Sequence, residues 1–216
     1  MKVGTTRIEA FSDGVIVIVI TIMILELKLP DINRQSTTKD ILEQLHHMVP
    51  YFISYIFSYT MIGILWTNHH HMFHFLEKAD EHLLWQNFIF LFLMSLIPLA
   101  TYIVGSTPFI PISPNIYALV MLLTTSSLFT MQHYSLRKRL IHKDTDKELT
   151  REIKSVSSKA KNKAAIATLI YFISIPLAYV NVYLAYACFI LPPIIFFVPQ
   201  GLDNEKLAEK VIEKNV

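Results

Sequence analysis

Hydrophobic residues along this chain come in long blocks without strand-like alternation. Residues Arg7 to Pro30 read RIEAFSDGVIVIVITIMILELKLP, uncharged from Gly14 to Leu25 after an opening that holds an arginine, a serine and an aspartate. Six apolar segments can be marked, at 8–29, 46–67, 83–104, 114–134, 163–180 and 182–199. Each is close to the ~20 residues a helix needs to cross a bilayer, allowing for tilt. The β-branched stretch Val15–Ile20 alone would pass for a strand. Lipid admits only helices or closed barrels, and the neighbouring blocks lack a period of two, so helices are predicted throughout. The last two segments share one run of 39 residues, between Lys163 and Asp203, with no Asp, Glu, Lys or Arg; we divide it near Tyr179–Tyr183, around Asn181.

The pattern predicts an all-α integral membrane protein. Residues 1–216 form one domain of six transmembrane helices, with a charged linker at 135–162 and a tail at 200–216. Composition agrees: 53% of residues are hydrophobic and 17% charged, against about 25% charged in a soluble domain. Mean hydropathy is +0.43. Pro98, Pro176, Pro192 and Pro193 fall inside spans and are expected to kink them. The loop Gly105–Asn115, GSTPFIPISPN, reads as a proline-stiffened outer turn. The first apolar run is not a signal peptide, since Asp13 opens it and no small-x-small site closes it.

Charge sets the orientation. With both termini on one side, that side carries sixteen Lys and Arg, ten of them from Arg137 to Lys163, while the other has only Lys28, Arg34 and Lys39. Both termini are therefore expected in the cytoplasm, with the chain in the cell membrane. The mixed-sign stretch Arg137–Lys163 reads as a solvated helical linker. A net charge of +2 is too small to imply a nucleic-acid partner. The single cysteine, Cys188, excludes an intrachain disulfide and a cysteine-based metal site, and reads as a small buried hydrophobe.

Within the first segment, Arg7, Phe11, Gly14, Ile18, Thr21 and Leu25 recur at spacings of 4, 3, 4, 3 and 4. That is the a/d seam of a helix packed against similar helices. Gly14 permits close backbone approach, Thr21 puts one hydroxyl in an apolar seam, and Ile22 lies on the same flank. The alternative is an ordinary buried span whose threonine bonds its own preceding turn. Asp13 lies about 120° around the helix from Arg7 and ~9 Å along it, so each needs partners elsewhere. An ionisable group at the mouth of a span is costly without one. The end of the second span, WTNHHHMFH at Trp66–His74, and the start of the third, with His82, Trp85, Gln86 and Asn87, lie at the same level.

The box Arg7-x-x-x-Phe11-Ser12-Asp13 at the head of the first of six spans resembles the bacterial relatives of the endosomal and lysosomal potassium channel called transmembrane protein 175. Glu26 and Pro30, the Trp-x-x-His stretch at Trp66–His69 and the six-span layout extend the resemblance over essentially the whole chain. It implies a potassium-permeable channel in which first helices from four chains line a central pore in a homotetramer. By position from the Phe-Ser-Asp box, it implies a hydrophobic constriction at Ile18 with Ile22 and Leu25 further out, and a cation-preferring hydroxyl layer at Thr21. Arg7, Phe11, Ser12 and Asp13 would be structural, with Asn68, His70, Trp85 and Asn87 nominated as their network partners. The chain lacks the Thr-Val-Gly-Tyr-Gly carbonyl filter, so modest potassium-over-sodium preference from side chains and a dewetting gate is expected.

Three rival readings remain open on the residues. A proton- or metal-conducting channel or transporter would use the His69–His74 cluster, where His70 and His74 stand at i,i+4. An enzyme would need convergent acid–base groups, and the box offers one aspartate, with Ser12 and His70 as the nearest imitation of a nucleophile and base. A coupled transporter would show internal repeats and midplane carboxylates, and neither is found. No enzyme activity, cofactor or bound metal is expected; the expected partners are K+, other monovalent cations, H+, the lipid bilayer and further copies of the chain.

Overall fold

Helix follows helix along the chain. The computed structural model describes residues 4–27, 37–141 and 147–197. Within them the helices are α1 (Thr5–Met23, continued by a 3-10 turn Ile24–Glu26), α2 (Thr38–His74), α3 (Glu81–Ser95), α4 (Ile97–Ser106), α5 (Ile112–Arg137), α6 (Lys147–Val180) and α7 (Val182–Phe197). Four stretches are long and apolar enough to cross a membrane: Thr38–His74, Glu81–Ser106, Ile112–Arg137 and Thr150–Val180. The 19-residue α1 is apolar only beyond Asp13, because Arg7 and Glu9 also lie in its first half, and α7 has 16 residues. The predicted tail 200–216, together with Lys28, Pro30, Arg34 and 142–146, lies outside the described residues, as do the ends of the segments at 8–29 and 182–199.

Helices run past several apolar boundaries because polar residues that favour helices continue them. α2 starts at Thr38, where Thr37 and Asp40 form a capping box, and carries on through the histidines to His74. α6 starts at Lys147, inside the charged linker, and carries it without a break into the apolar segment. Hydropathy marks only the part of a helix that lipid can cover; propensity and caps set where the backbone turns. The span 83–104 is broken between α3 and α4 at Leu96, two residues before Pro98. The break follows from the missing proline N–H and its steric demand on the preceding turn. Pro176, Pro192 and Pro193 sit inside α6 and α7 without ending them. α6 and α7 part at Asn181, whose Oδ1 accepts from the Tyr183 N–H at 2.9 Å.

Contacts at the two ends establish an up-and-down arrangement. At one end the start of α1 meets the close of α2, through Glu9 and His70. There too the α2–α3 connection meets the α5–α6 connection: Leu76 bridges Ile141, and the Glu77 N–H donates to the Leu140 carbonyl at 3.0 Å. Asp80, the N-cap of α3, accepts from the Leu83 N–H at 2.9 Å and from the Tyr134 hydroxyl of α5 at 2.7 Å. At the opposite end Tyr186 of α7 donates to the Pro108 carbonyl at 2.6 Å, and Tyr51 of α2 crosses Gly105 of α4. A Cβ at Gly105 would stand 2.7 Å from Tyr51 Cδ1 and 2.9 Å from its Cα. Between the ends lies a core of α2, α4, α5, α6 and α7 side chains, including Met61, Ile62, Leu65, Met121, Tyr171 and Phe189. Within it the hydroxyls of Ser58, Thr101 and Tyr117 bond one another at 2.7 and 3.1 Å, which satisfies groups that lipid or apolar side chains would leave unpaired.

Two stability predictions follow from these contacts. Gly105→Ala forces α2 and α4 apart and is expected to cost about 1–3 kcal/mol, measured by unfolding in detergent; an unchanged midpoint would rule out the close crossing. Burial alone would raise the Asp80 pKa, but the hydrogen bonds from Tyr134 and Leu83, with His82 and Lys138 nearby, outweigh it and hold the carboxyl below its ordinary 3.8. A lowered pKa means the charged form stabilises the fold. That contribution is present above the ordinary value and disappears as the pH falls through the lowered one. Asp80→Ala should cost about 1 kcal/mol near neutrality as a lost cap and flatten the dependence of melting temperature on pH below about pH 4.

Candidate functional site

α1 has two unlike faces. Ile8, Ser12, Ile16, Val19 and Met23 are buried, at spacings of 4, 4, 3 and 4, and form one stripe against α2 and α3. The opposite stripe is uncovered within the chain: Phe11, Gly14, Ile18, Thr21 and Leu25 are exposed, Ile18 by 57% and Leu25 by 74%, and Ile22 beside them by 44%. The six positions of the predicted seam are thus all exposed, Arg7 included. The Thr21 hydroxyl donates to the Ile18 carbonyl at 2.9 Å. This is the back-bond of an ordinary span, but it occupies the hydroxyl proton and leaves the oxygen lone pairs as acceptors on the exposed face.

The buried stripe carries a polar chain across three helices. Ser12 Oγ donates to the Ile8 carbonyl at 2.8 Å and accepts from Asn87 Nδ2 at 2.9 Å. Asn87 Oδ1 lies 2.7 Å from His69 Nε2. A carbonyl oxygen can only accept, so His69 carries its proton on Nε2. The imidazole is clamped between Phe73 and Phe90, the latter stacked at 5.1 Å and 5°. Ser12, His69 and Asn87 are each at most 1% exposed. One residue further along α1, Asp13 accepts from Trp66 Nε1 at 2.9 Å. Phe11 meets Phe88 of α3 edge-on at 5.7 Å, and Phe88 in turn lies 6.0 Å from Trp85.

The nominated partners are distributed unevenly. Asn87 joins Ser12, and His70 faces Glu9 of α1, with Nδ1 and Oε1 3.0 Å apart. Asn68 bonds its own helix at the Ile64 carbonyl and lines a small cavity with His71 and Gln132, away from α1. Trp85 is 62% exposed and contributes packing to Phe88. Arg7 has no ion-pair partner among the described residues. His69 and Trp66, which hold Asn87 and Asp13, lie in the Trp66–His74 stretch and form its Trp-x-x-His pattern, but are not among the four nominated partners. A three-residue spacing puts both on the α2 face that meets α1 and α3. The histidine run does not converge: His69 points to α3, His70 to α1, and His71 to the cavity near α5 and α6. Successive residues on a helix are ~100° apart, so neighbours in sequence serve different neighbours in space. His74 stacks on His70 at 6.2 Å.

Three comparisons bear on this arrangement. The profile of the family described as endosomal/lysosomal potassium channel TMEM175 matches residues 7–98, the stretch that holds α1 from Arg7 on, α2 and all of α3. A potassium channel of Chryseobacterium sp. (strain P1-3) is 31% identical over 209 residues, covering 97% of this chain and 98% of that one. The endosomal/lysosomal proton channel TMEM175 of Gallus gallus is 37% identical over 100 residues, 44% of this chain but 20% of that protein. Among solved structures, a lysosomal potassium-selective channel TMEM175 homolog from Chamaesiphon minutus superposes with a TM-score of 0.74 at 22% identity, covering 91% of this chain and 97% of that one; it shares the fold.

Asn87→Ala would strand both Ser12 and the His69 Nε2–H in an apolar interior. It is expected to cost about 1–3 kcal/mol, and less when Ser12→Ala is already present, because the two share one bond. A double-mutant cycle by unfolding in detergent measures this. Strict additivity would mean that the two side chains do not interact.

Proposed function

This chain belongs to the TMEM175 potassium-channel family, and from that premise we propose that it is a potassium-permeable cation channel whose pore is lined by α1. The observation that carries this is the exposed stripe on α1, opposite the face the chain buries for itself. In a helix held to its own bundle by Ser12 and Asp13, a second apolar face with a glycine and a threonine at seam spacing suits contact with copies of itself. Four chains around one axis would bring the α1 stripes together. Ile18, Ile22 and Leu25 then form a hydrophobic constriction that gates by dewetting. Thr21, its proton occupied by the helix, offers an acceptor oxygen to a partly dehydrated cation.

All six segments cross the membrane on this reading, α1 and α7 included, as one domain over 1–216. The end of the bundle that gathers Lys78 and the Arg137–Lys163 stretch faces the cytoplasm, with both termini. The bilayer is that of the cell. Selectivity for potassium over sodium is modest, since one hydroxyl ring holds an ion less specifically than a cage of carbonyls. The names of the relatives support K+ and H+ as permeant ions, and other monovalent cations pass as well. Membership of a channel family removes the enzyme alternative.

The test is potassium-driven flux through purified protein in liposomes. Ile18→Asn wets the constriction and should raise the wild-type leak by roughly tenfold, the equivalent of about 1.4 kcal/mol off the barrier. Equal flux from both proteins would take Ile18 off the ion path. In planar bilayers, Thr21→Val should move the bi-ionic K+/Na+ reversal potential towards zero while current persists. A potential unmoved by the loss of the hydroxyl would assign selectivity elsewhere.

A further inference from the structure

Beside the network at the α1–α2 contact lies a group of three side chains whose chemistry that network does not use up. Glu9 and Asp13 stand one turn apart on α1, on the flank facing α2. His70 comes from α2 between them, with Nδ1 3.0 Å from Glu9 Oε1. One donor atom from each of the three lies within 4.8 Å of the other two, and all three side chains are half-buried. Two carboxylates at i,i+4 repel each other. Their proximity at the end of a membrane helix therefore favours a cation held between them.

We propose that Glu9, Asp13 and His70 bind a divalent transition-metal ion of the zinc class. The donor set selects the ion. Two carboxylates and one imidazole suit Zn2+, Co2+ or Ni2+ better than K+ or Mg2+, which take oxygen donors alone. A tetrahedral ion about 2.0–2.1 Å from each ligand sets the donors about 3.3 Å apart. The His70–Glu9 pair is already that close, and rotation of the carboxylates by about an ångström completes the triangle. The fourth position is open to water.

The surrounding residues are arranged as a metal site requires. Trp66 Nε1 donates to Asp13 Oδ1 at 2.9 Å and leaves Oδ2 available as the ligand. The same indole stacks on His70 at 5.6 Å and 29°, which orients the ring from which the third ligand comes. One side chain thus positions two of the three donors, as outer groups commonly do around bound metals. The site needs a single chain and stands whether or not α1 lines a pore.

Titration of the full-length protein in detergent with zinc chloride, followed by calorimetry, tests this directly, with Co2+ absorption as a second probe. The wild type should bind one ion per chain, and its melting temperature should rise on binding. Glu9→Gln and His70→Ala should each weaken binding by at least about tenfold and abolish the zinc-dependent rise in melting temperature while the apo protein still melts cooperatively. The His46→Ala/His47→Ala variant, altered towards the far end of α2, should bind as the wild type does. Absence of saturable one-per-chain binding by the wild type overturns the proposal. So does undiminished binding by His70→Ala, or a loss that appears equally in the His46/His47 control. None of these results depends on ion flux, so the channel reading is tested separately.

Discussion

His69, Asn87 and Ser12 form one continuous hydrogen-bonded chain through the contact of three helices, and the placement of α1 depends on it. Each side chain is almost fully buried, so no water offers an alternative partner and an unmade bond would cost the full desolvation of its groups. Apolar contacts between membrane helices are weakly directional, because a leucine packs as well against lipid as against another leucine. A directed chain of donor to acceptor has one register. It sets both the rotation of α1 about its axis and its depth against α2 and α3. The Trp66–Asp13 bond one residue further along reinforces the same register.

That rotation decides which residues of α1 the chain keeps for itself and which it leaves outward. With Ser12 turned to Asn87, Ile16, Val19 and Met23 follow it into the bundle. Ile18, Thr21 and Leu25 are then left on the other side. In the proposed pore, a gate and a hydroxyl layer would be useful only if every copy presented the same face to the axis. On that proposal the buried polar chain would matter to conduction through the orientation of α1 alone. The same register brings Glu9 and Asp13 opposite His70, so the candidate metal site and the exposed stripe share one origin.

Much of this was legible in the residues. The helical, membrane-bound character follows from block length alone. The exposed stripe of α1 could be drawn from Gly14 and Thr21, because an otherwise uniform apolar run contains only those two exceptions to choose a face. The Phe-Ser-Asp box pointed to the family, and the level of the Trp66–Asn87 region pointed to the helices that hold it. Other features were hidden. Asn68 and Trp85 carry the right chemistry for partners of the box but project from the wrong sides of α2 and α3. His69 does what a list of histidines could not reveal, since its three neighbours carry the same side chain in other directions. Glu9 drew no attention because its neighbour His70 lies 61 positions away on another helix. Hydropathy marks the lipid-compatible part of a helix and not its ends, so α2 begins at Thr38, before its apolar segment, and the helical reading of the charged linker continues into α6 from Lys147.

By itself, the sequence determined what lipid and periodicity impose: helices, their approximate number, the charge asymmetry between the two ends, and the stripe of α1 that differs from its surroundings. These depend on composition and on spacing along one helix, where 3.6 residues per turn is the only geometry needed. Only the tertiary structure decided which polar groups meet. Whether Asn87 or Asn68 reaches Ser12, and whether His70 faces an acid or a cavity, depends on the rotation of each helix about its own axis. That rotation is set by contacts between residues far apart in sequence, and no local pattern in a single chain encodes it.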